Sequence, residues 1–121
     1  MSTHKKIITK ALKIRFVEEK LLQLFNENKL NGTVHTCVGQ ELIGVCLSEY
    51  LSNTDMILSN HRGHGHFFSR SNKLKEFFAE LMGRKDGLCG GMGGSQHLYD
   101  GNFMTNGIQG GMTPIAAGIA Y

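Results

Sequence analysis

The chain has 121 residues, 40% of them hydrophobic, and a formal net charge of +3 at pH 7. That length suits one small domain or part of one, and the apolar content suffices for a packed core rather than a disordered tail. The excess positive charge is small and its lysines are spread out, which points away from a nucleic-acid-binding stripe or a polybasic membrane patch and leaves a small anion as the charge-matched ligand.

The start, Met1 to Lys13, mixes charged and single apolar residues without a continuous apolar run, so it reads as neither a signal peptide nor a membrane span, and a cytoplasmic protein is expected. Cys37, Cys46 and Cys89 are an odd set without Cys-x-x-Cys spacing, which argues for reduced thiols rather than a disulfide framework or a zinc knuckle. Ile7, Ala11, Ile14, Val17, Leu21, Leu24 and Phe25 recur at steps of three and four and predict a long amphipathic helix over 7–25, ended by Asn31-Gly32. A second helix is expected over 40–51 with Leu42, Ile43, Cys46, Leu47 and Tyr50 facing inward, stopped by the turn cluster 52–55. Met56-Ile57-Leu58 is a candidate buried strand. It runs into the polar, glycine-spaced segment 59–66, and in open α/β sheets ligands bind at the carboxyl ends of strands.

A third helix is expected from Leu74 to Met82, capped by Asn72 and terminated by Gly83. Residues 87–106 read as an extended glycine-rich loop of the length that usually carries function or mobility. Thr113-Pro114 supplies an N-cap and an early proline for a last helix of small residues. That helix has no polar ending, and a truncated domain is expected.

Four constellations could carry chemistry. His35 precedes the second helix, whose free amides favour an anion, although an ordinary half-buried histidine would look the same. His61-Arg62-Gly63-His64-Gly65-His66 sets one permanent charge among three imidazoles, and the guanidinium fork suits phosphate oxygens. Three histidines in six residues could instead hold zinc, giving a metal-dependent hydrolase, and spacing alone leaves that alternative open. Gly90-Gly91-Met92-Gly93-Gly94-Ser95-Gln96-His97 has neither the Gly-Lys-Ser/Thr of a P-loop nor a Gly-x-Gly-x-x-Gly that opens a helix. Asn106-Gly107-Ile108-Gln109-Gly110-Gly111 could let main-chain groups meet a flat heterocycle while the following helix start faces a diphosphate, or could be a plain turn.

Taken in order, His35-x-x-x-Gly39-Gln40-Glu41, Asp55, Arg62-x-His64-Gly65, Ala79-Glu80-Leu81-x-Gly83-Arg84, Gly91-x-Gly93-Gly94-Ser95-x-His97 and Asn106-Gly107-Ile108-x-Gly110, with Pro114 and Ala117-Gly118-Ile119-Ala120, form a collinear set. From Lys13 to Tyr121 it resembles the alpha subunits of the E1 component of thiamine-diphosphate-dependent 2-oxo acid dehydrogenases, of the pyruvate, branched-chain and acetoin types. The resemblance implies an α/β fold, with residues 1–121 forming the N-terminal portion of one doubly wound thiamine-diphosphate-binding domain on its diphosphate side. It further implies His35, His61 and Arg62 at the diphosphate, backbone of Gly107 and Gln109 at the aminopyrimidine, and His64 lining the same pocket as a possible catalytic group.

The implied reaction is decarboxylation of a small 2-oxo acid followed by acyl transfer to a lipoyl group, with a beta-type E1 subunit and a lipoyl-bearing acyltransferase as partners. Neither nucleic acid nor membrane is expected as a partner. The family's magnesium motif, Gly-Asp-Gly followed by Asn, has no counterpart in these residues, so Mg2+ ligands are expected beyond Tyr121 and the 121-residue species alone is expected to be inactive. His61 stands where the family usually has tyrosine, Gln109 where it has valine, and Met92 where it has lysine. These departures bear on substrate and keep another transketolase-like thiamine-diphosphate enzyme as an alternative; a second alternative is a noncatalytic assembly module that pairs the small-residue helix after Pro114 with a partner subunit.

Overall fold

The computed structural model describes residues 2–121. Helix α1 spans Thr3–Asn26, with Ser2 accepting from the Lys5 amide as its cap. It buries Ile14, Val17, Leu21 and Leu24 and half-buries Ile7 and Ala11, as the periodicity requires, while Phe25 lies outside the core. It stops five residues before Asn31. Asn28 takes the left-handed conformation (φ 55°), the Asn28 amide donates to Phe25 O, and the Lys29 amide donates to Leu24 O, which satisfies the last carbonyls.

Helix α2 (Glu41–Ser48) presents the opposite face from the one expected. Glu41, Gly44 and Val45 are buried, whereas Leu42, Ile43, Cys46, Leu47 and Tyr50 are exposed. The reason is a backbone contact that hydropathy does not encode. A Cβ on Gly44 would lie 2.8 Å from the carbonyl of Gly65, so the glycine face is the only one that lets α2 meet the next helix so closely. Glu41 is drawn inward by Arg15 and by the Gly39 amide.

Strand β1 (Ile57–Ser59) lies one residue later than the apolar run suggested. The glycine-spaced segment after it is not all loop, since helix α3 (His64–Arg70) begins at His64 and buries Phe67 and Phe68. Helix α4 (Leu74–Leu81) follows. Asn72 does not cap it, because its carboxamide oxygen is bonded to Lys13 Nζ and the N-cap position belongs to Lys73. At the other end Gly83 (φ 69°) ends the helix as expected, with amides of Gly83 and Arg84 donating to Glu80 O and Ala79 O.

The stretch expected as an unbroken loop contains strand β2 (Phe103–Thr105), which pairs in parallel with β1 in the register Ile57↔Phe103, Leu58↔Met104, Ser59↔Thr105. Helix α5 (Met112–Ala120) starts one residue before Thr113, from Gly111, so Thr113 sits inside the first turn rather than at the cap; none of its residues is buried. Two parallel strands with flanking helices make an α/β arrangement, and no helix among the described residues is long and apolar enough to cross a membrane.

Helices α1, α2 and α3 pack on one another, and the core beneath them is aromatic. Phe77 of α4 stacks on Phe67 at 5.9 Å, meets Phe68 edge-on at 4.7 Å, and is fully buried, while Phe67 reaches Phe103 of β2 at 5.3 Å. Truncating Phe77 removes the ring that ties α4 to α3, so Phe77→Ala is expected to lower stability by about 3–5 kcal/mol. Denaturant unfolding of the two proteins checks this, and a loss below about 1 kcal/mol would show that the aromatic cluster is not the core of the fold.

Candidate functional site at the carboxyl ends of the two strands

Because β1 and β2 are parallel and in register, the segments leaving their carboxyl ends emerge side by side. After β1 come Asn60, His61 and Arg62, and after β2 come Asn106, Gly107, Ile108 and Gln109. Each segment is shaped by an asparagine that bends back on its own backbone, Asn60 Oδ1 accepting from the Arg62 amide at 2.9 Å and Asn106 Oδ1 from the Ile108 amide at 2.9 Å. The Asn106 amide donates to Ser59 O at 3.2 Å and holds the two segments together at their base.

The two segments then meet through side chains. Gln109 Nε2 donates to His61 Nδ1 at 3.0 Å, which leaves the ring proton of His61 on Nε2 as a donor. The His61 ring packs edge-on against His35 with centroids 5.0 Å apart, bringing in the segment before α2. Arg62 Nη1 donates to Thr36 O, next to His35, so the guanidinium bridges the same segment. Arg62 is exposed and has no carboxylate partner among the described residues. Gly107 lies against the side chain of Gln96, whose Nε2 donates to Thr33 Oγ1 at 2.8 Å. The five residues His35, His61, Arg62, Gly107 and Gln109 are thus brought to one edge of the fold by three separate loops.

His64 is not with them. It is fully buried, with Nδ1 2.9 Å from Glu18 Oε1 and Nε2 3.0 Å from Ser95 O, so both ring nitrogens are engaged inside the protein and it does not line the open edge. His66 bonds through Nδ1 to Ser59 Oγ at 2.8 Å, and burial pushes its pKa down. The three histidines of the 61–66 segment therefore face three different sets of partners, and among the described residues no three His, Cys, Asp or Glu side chains converge as a metal site. The zinc alternative has no geometry to support it.

The glycine-rich loop is organised by a residue to which the sequence reading gave no role. Glu80, buried at the end of α4, accepts from the amides of Cys89 (2.6 Å) and Gly91 (2.9 Å) on Oε2 and of Gly93 (2.7 Å) and Gly94 (3.1 Å) on Oε1. Burial raises the pKa of this carboxyl, but the four N–H donors outweigh it and hold the group below its ordinary value of 4.5. These amides face an internal anion and are not free to cradle an external phosphate. A signal existed in the sequence, because Glu80 shares the apolar face of Phe77 and Leu81 and sits near a helix C-terminus, where the dipole disfavours an acid. Glu18 gives the same kind of signal, an acid on the face of Ile14 and Leu21.

An exposed guanidinium with two imidazoles beside it, at the carboxyl ends of parallel strands in an α/β arrangement, has the chemistry that suits the anionic end of a ligand. The chain belongs to the dehydrogenase E1 component family, whose model matches residues 9–121. It is 41% identical over 114 residues to the alpha subunit of the acetoin:2,6-dichlorophenolindophenol oxidoreductase of Bacillus subtilis (strain 168), covering 92% of this chain and 34% of that protein. It is 42% identical over 108 residues to the somatic, mitochondrial pyruvate dehydrogenase E1 component subunit alpha of Homo sapiens, covering 88% of this chain and 28% of that one. Against the mitochondrial pyruvate dehydrogenase E1 alpha subunit of Saccharomyces cerevisiae the identity is 40% over 109 residues, with 89% and 26% covered. The chain therefore spans about a third or less of the length of these relatives.

Replacing Glu80 tests how the loop is held. A glutamine offers one acceptor oxygen where the carboxylate offers two, and its amide group would face N–H donors, so Glu80→Gln is expected to destabilise the protein by about 2–4 kcal/mol. Because the folded pKa of Glu80 is depressed, its contribution is present above about pH 4.5 and is lost as the pH falls through the lower folded value. Amide exchange at Cys89, Gly91, Gly93 and Gly94 reads this directly, and protection that is indifferent both to the substitution and to acid would contradict the assignment.

Proposed function

We propose that this chain forms the diphosphate side of a thiamine-diphosphate site in an alpha-type E1 subunit, within a doubly wound domain. The observation that carries the reading is the juxtaposition of Arg62, His61 and His35 at the end of β1 with Gly107 and Gln109 at the end of β2. A guanidinium without a carboxylate partner and imidazole N–H donors suit diphosphate oxygens, and the Asn106–Gln109 backbone, turned by Asn106, suits a planar ring.

When bound, thiamine diphosphate supplies the carbanion chemistry that lets a 2-oxo acid lose its carboxyl group. The part of these residues is to bind and orient. Arg62 neutralises phosphate charge, His61 donates through Nε2 while Gln109 fixes its tautomer, and Gly107 admits the ring to the backbone over Gln96. Magnesium would take its ligands from beyond Tyr121, because the family's Gly-Asp-Gly and following Asn have no counterpart in these residues. The whole protein would act on a small 2-oxo acid, pass the acyl group to the lipoyl group of an acyltransferase, and work with a beta-type subunit. The exposed apolar row Val38, Leu42, Ile43 and Leu47 beside α2, and the unburied Ile115 and Ile119 of α5, support such a partner. The printed names of the relatives, an acetoin oxidoreductase and pyruvate dehydrogenases, support the substrate class.

The Gln109–His61 bond is the observation behind a second reading, a transketolase-like thiamine-diphosphate enzyme with a different substrate, because it alters the polar groups next to the ring. A panel of 2-oxo acids and sugar phosphates, assayed with and without a lipoyl acceptor, separates the two. The first test is Arg62→Ala. Loss of a charge-assisted contact of about 1.5–3 kcal/mol is expected to weaken thiamine diphosphate binding by about 10- to 100-fold in calorimetry of the assembled protein. Unchanged affinity would overturn the placement of the diphosphate.

A further inference from the structure

Three loops must be held in mutual register for the site to exist, and each traces back to one buried carboxyl. Glu18 lies on α1, is fully buried, and carries no contact with the open edge itself. Its Oε1 accepts from the Cys37 thiol at 3.4 Å and lies 2.9 Å from His64 Nδ1. Cys37 follows Thr36, whose carbonyl receives Arg62, and is two residues from His35. His64 is two residues beyond Arg62 and opens α3. Through Nε2 it reaches Ser95 O in the glycine-rich loop, beside Gln96, on which Gly107 rests.

The protonation of this cluster follows from its partners. Ser95 O is a carbonyl and can only accept, so His64 Nε2 bears a proton. One further proton is shared between His64 Nδ1 and Glu18 Oε1, whichever of them holds it. Burial, and then the nearby Glu18, push the Cys37 thiol up to about 12, so it remains a donor. Glu18 Oε2 has no hydrogen-bond partner among the described residues, which makes the bonds at Oε1 the whole polar tether of this side chain.

We propose that Glu18 is a positioning residue for the diphosphate site: through Cys37 and His64 its Oε1 fixes the spacing of the His35, Arg62 and Ser95–Gln96 segments. This deepens the proposed function and rests on it for the identity of the ligand. It assigns the buried His64 a supporting part, holding loops rather than meeting substrate. The tether is specific in direction. Losing it leaves His64 Nδ1 and the Cys37 thiol buried without partners, and both segments are free to shift while the aromatic core around Phe77 stays packed.

The experiment compares Glu18→Ala, Glu18→Gln, Cys37→Ala and Leu21→Ala in the full-length protein, assembled as it occurs. Leu21 is a buried neighbour on α1 that takes no part in these hydrogen bonds, so its variant reports general destabilisation of the helix. Two readouts are used, amide exchange over 35–39 and 91–97, and thiamine diphosphate affinity by calorimetry. Glu18→Ala is expected to speed exchange in both segments and weaken binding by about tenfold beyond the effect of Leu21→Ala. Glu18→Gln should leave exchange over 91–97 at the parent's rate, because its amide nitrogen can donate to Nδ1 of a neutral His64 and leave Nε2–H on Ser95, but should loosen 35–39 as Cys37→Ala does, because that nitrogen cannot accept from the Cys37 thiol. Cys37→Ala should loosen 35–39 but not 91–97, and decides the matter by segment if Glu18→Ala does not fold. Equal effects of Glu18→Ala and Leu21→Ala, or of Cys37→Ala on both segments, would overturn the proposal. If the parent protein fails to bind thiamine diphosphate, the functional reading falls, while the exchange pattern still decides whether Glu18 sets the loops.

Discussion

A carboxylate taken out of water costs several kcal/mol unless its lone pairs are met, and Glu80 meets them with backbone alone. Its two oxygens gather four amides from a stretch of six residues, Cys89 to Gly94, that has no regular secondary structure and hence no other way to satisfy those N–H groups. The loop is therefore a wrapped segment around an internal anion. From it the chain proceeds to Ser95, Gln96 and Leu98, whose carbonyls and amide are bonded in turn to His64 and Thr105, so the position of β2 relative to β1 depends on where Glu80 places this loop.

The same device recurs at two more places. Glu41 accepts from Arg15 and the Gly39 amide, and Arg15 is the leading reason that its carboxyl stays below the usual range; Glu18 receives Cys37 and His64. Each acid lies on or beside a helix and each fastens a loop that approaches the open edge. The internal carboxylates engage the loop amides and the structural histidine, and what is left facing outward at that edge is basic and neutral: Arg62, His61, His35 and Gln109. A basic edge arises from a chain of only modest net charge because these acids are turned inward.

Membership of the dehydrogenase E1 component family agrees with this division of labour. The motif residues shared by the resemblance fall into two physical groups. Gly39, Glu41, Glu80, Gly91, Gly93, Gly94 and His64 build loops, whereas His35, Arg62 and Gly107 lie at the edge the loops create. His61 and Gln109, which differ from the family's usual residues, contact each other, so the two departures form one hydrogen-bonded pair rather than two separate changes.

The sequence by itself determined the elements whose signal is local. The apolar stripe of α1, the glycine stop of α4, the strand near Ile57 and the basic segment after it were all legible because periodicity and turn chemistry act over a few residues. The order of the site motifs was legible for the same reason. What only tertiary structure decided are the contacts between segments far apart in the chain. The inward face of α2 is set by Gly44 meeting Gly65, strand β2 exists because β1 offers it a partner, and His64 goes to the core because Glu18 and Ser95 receive it there. Hydropathy ranks a leucine above a glycine or a glutamate for burial. It has no means of weighing a close backbone approach or a ring of amide donors, and in this protein those two terms fix the site.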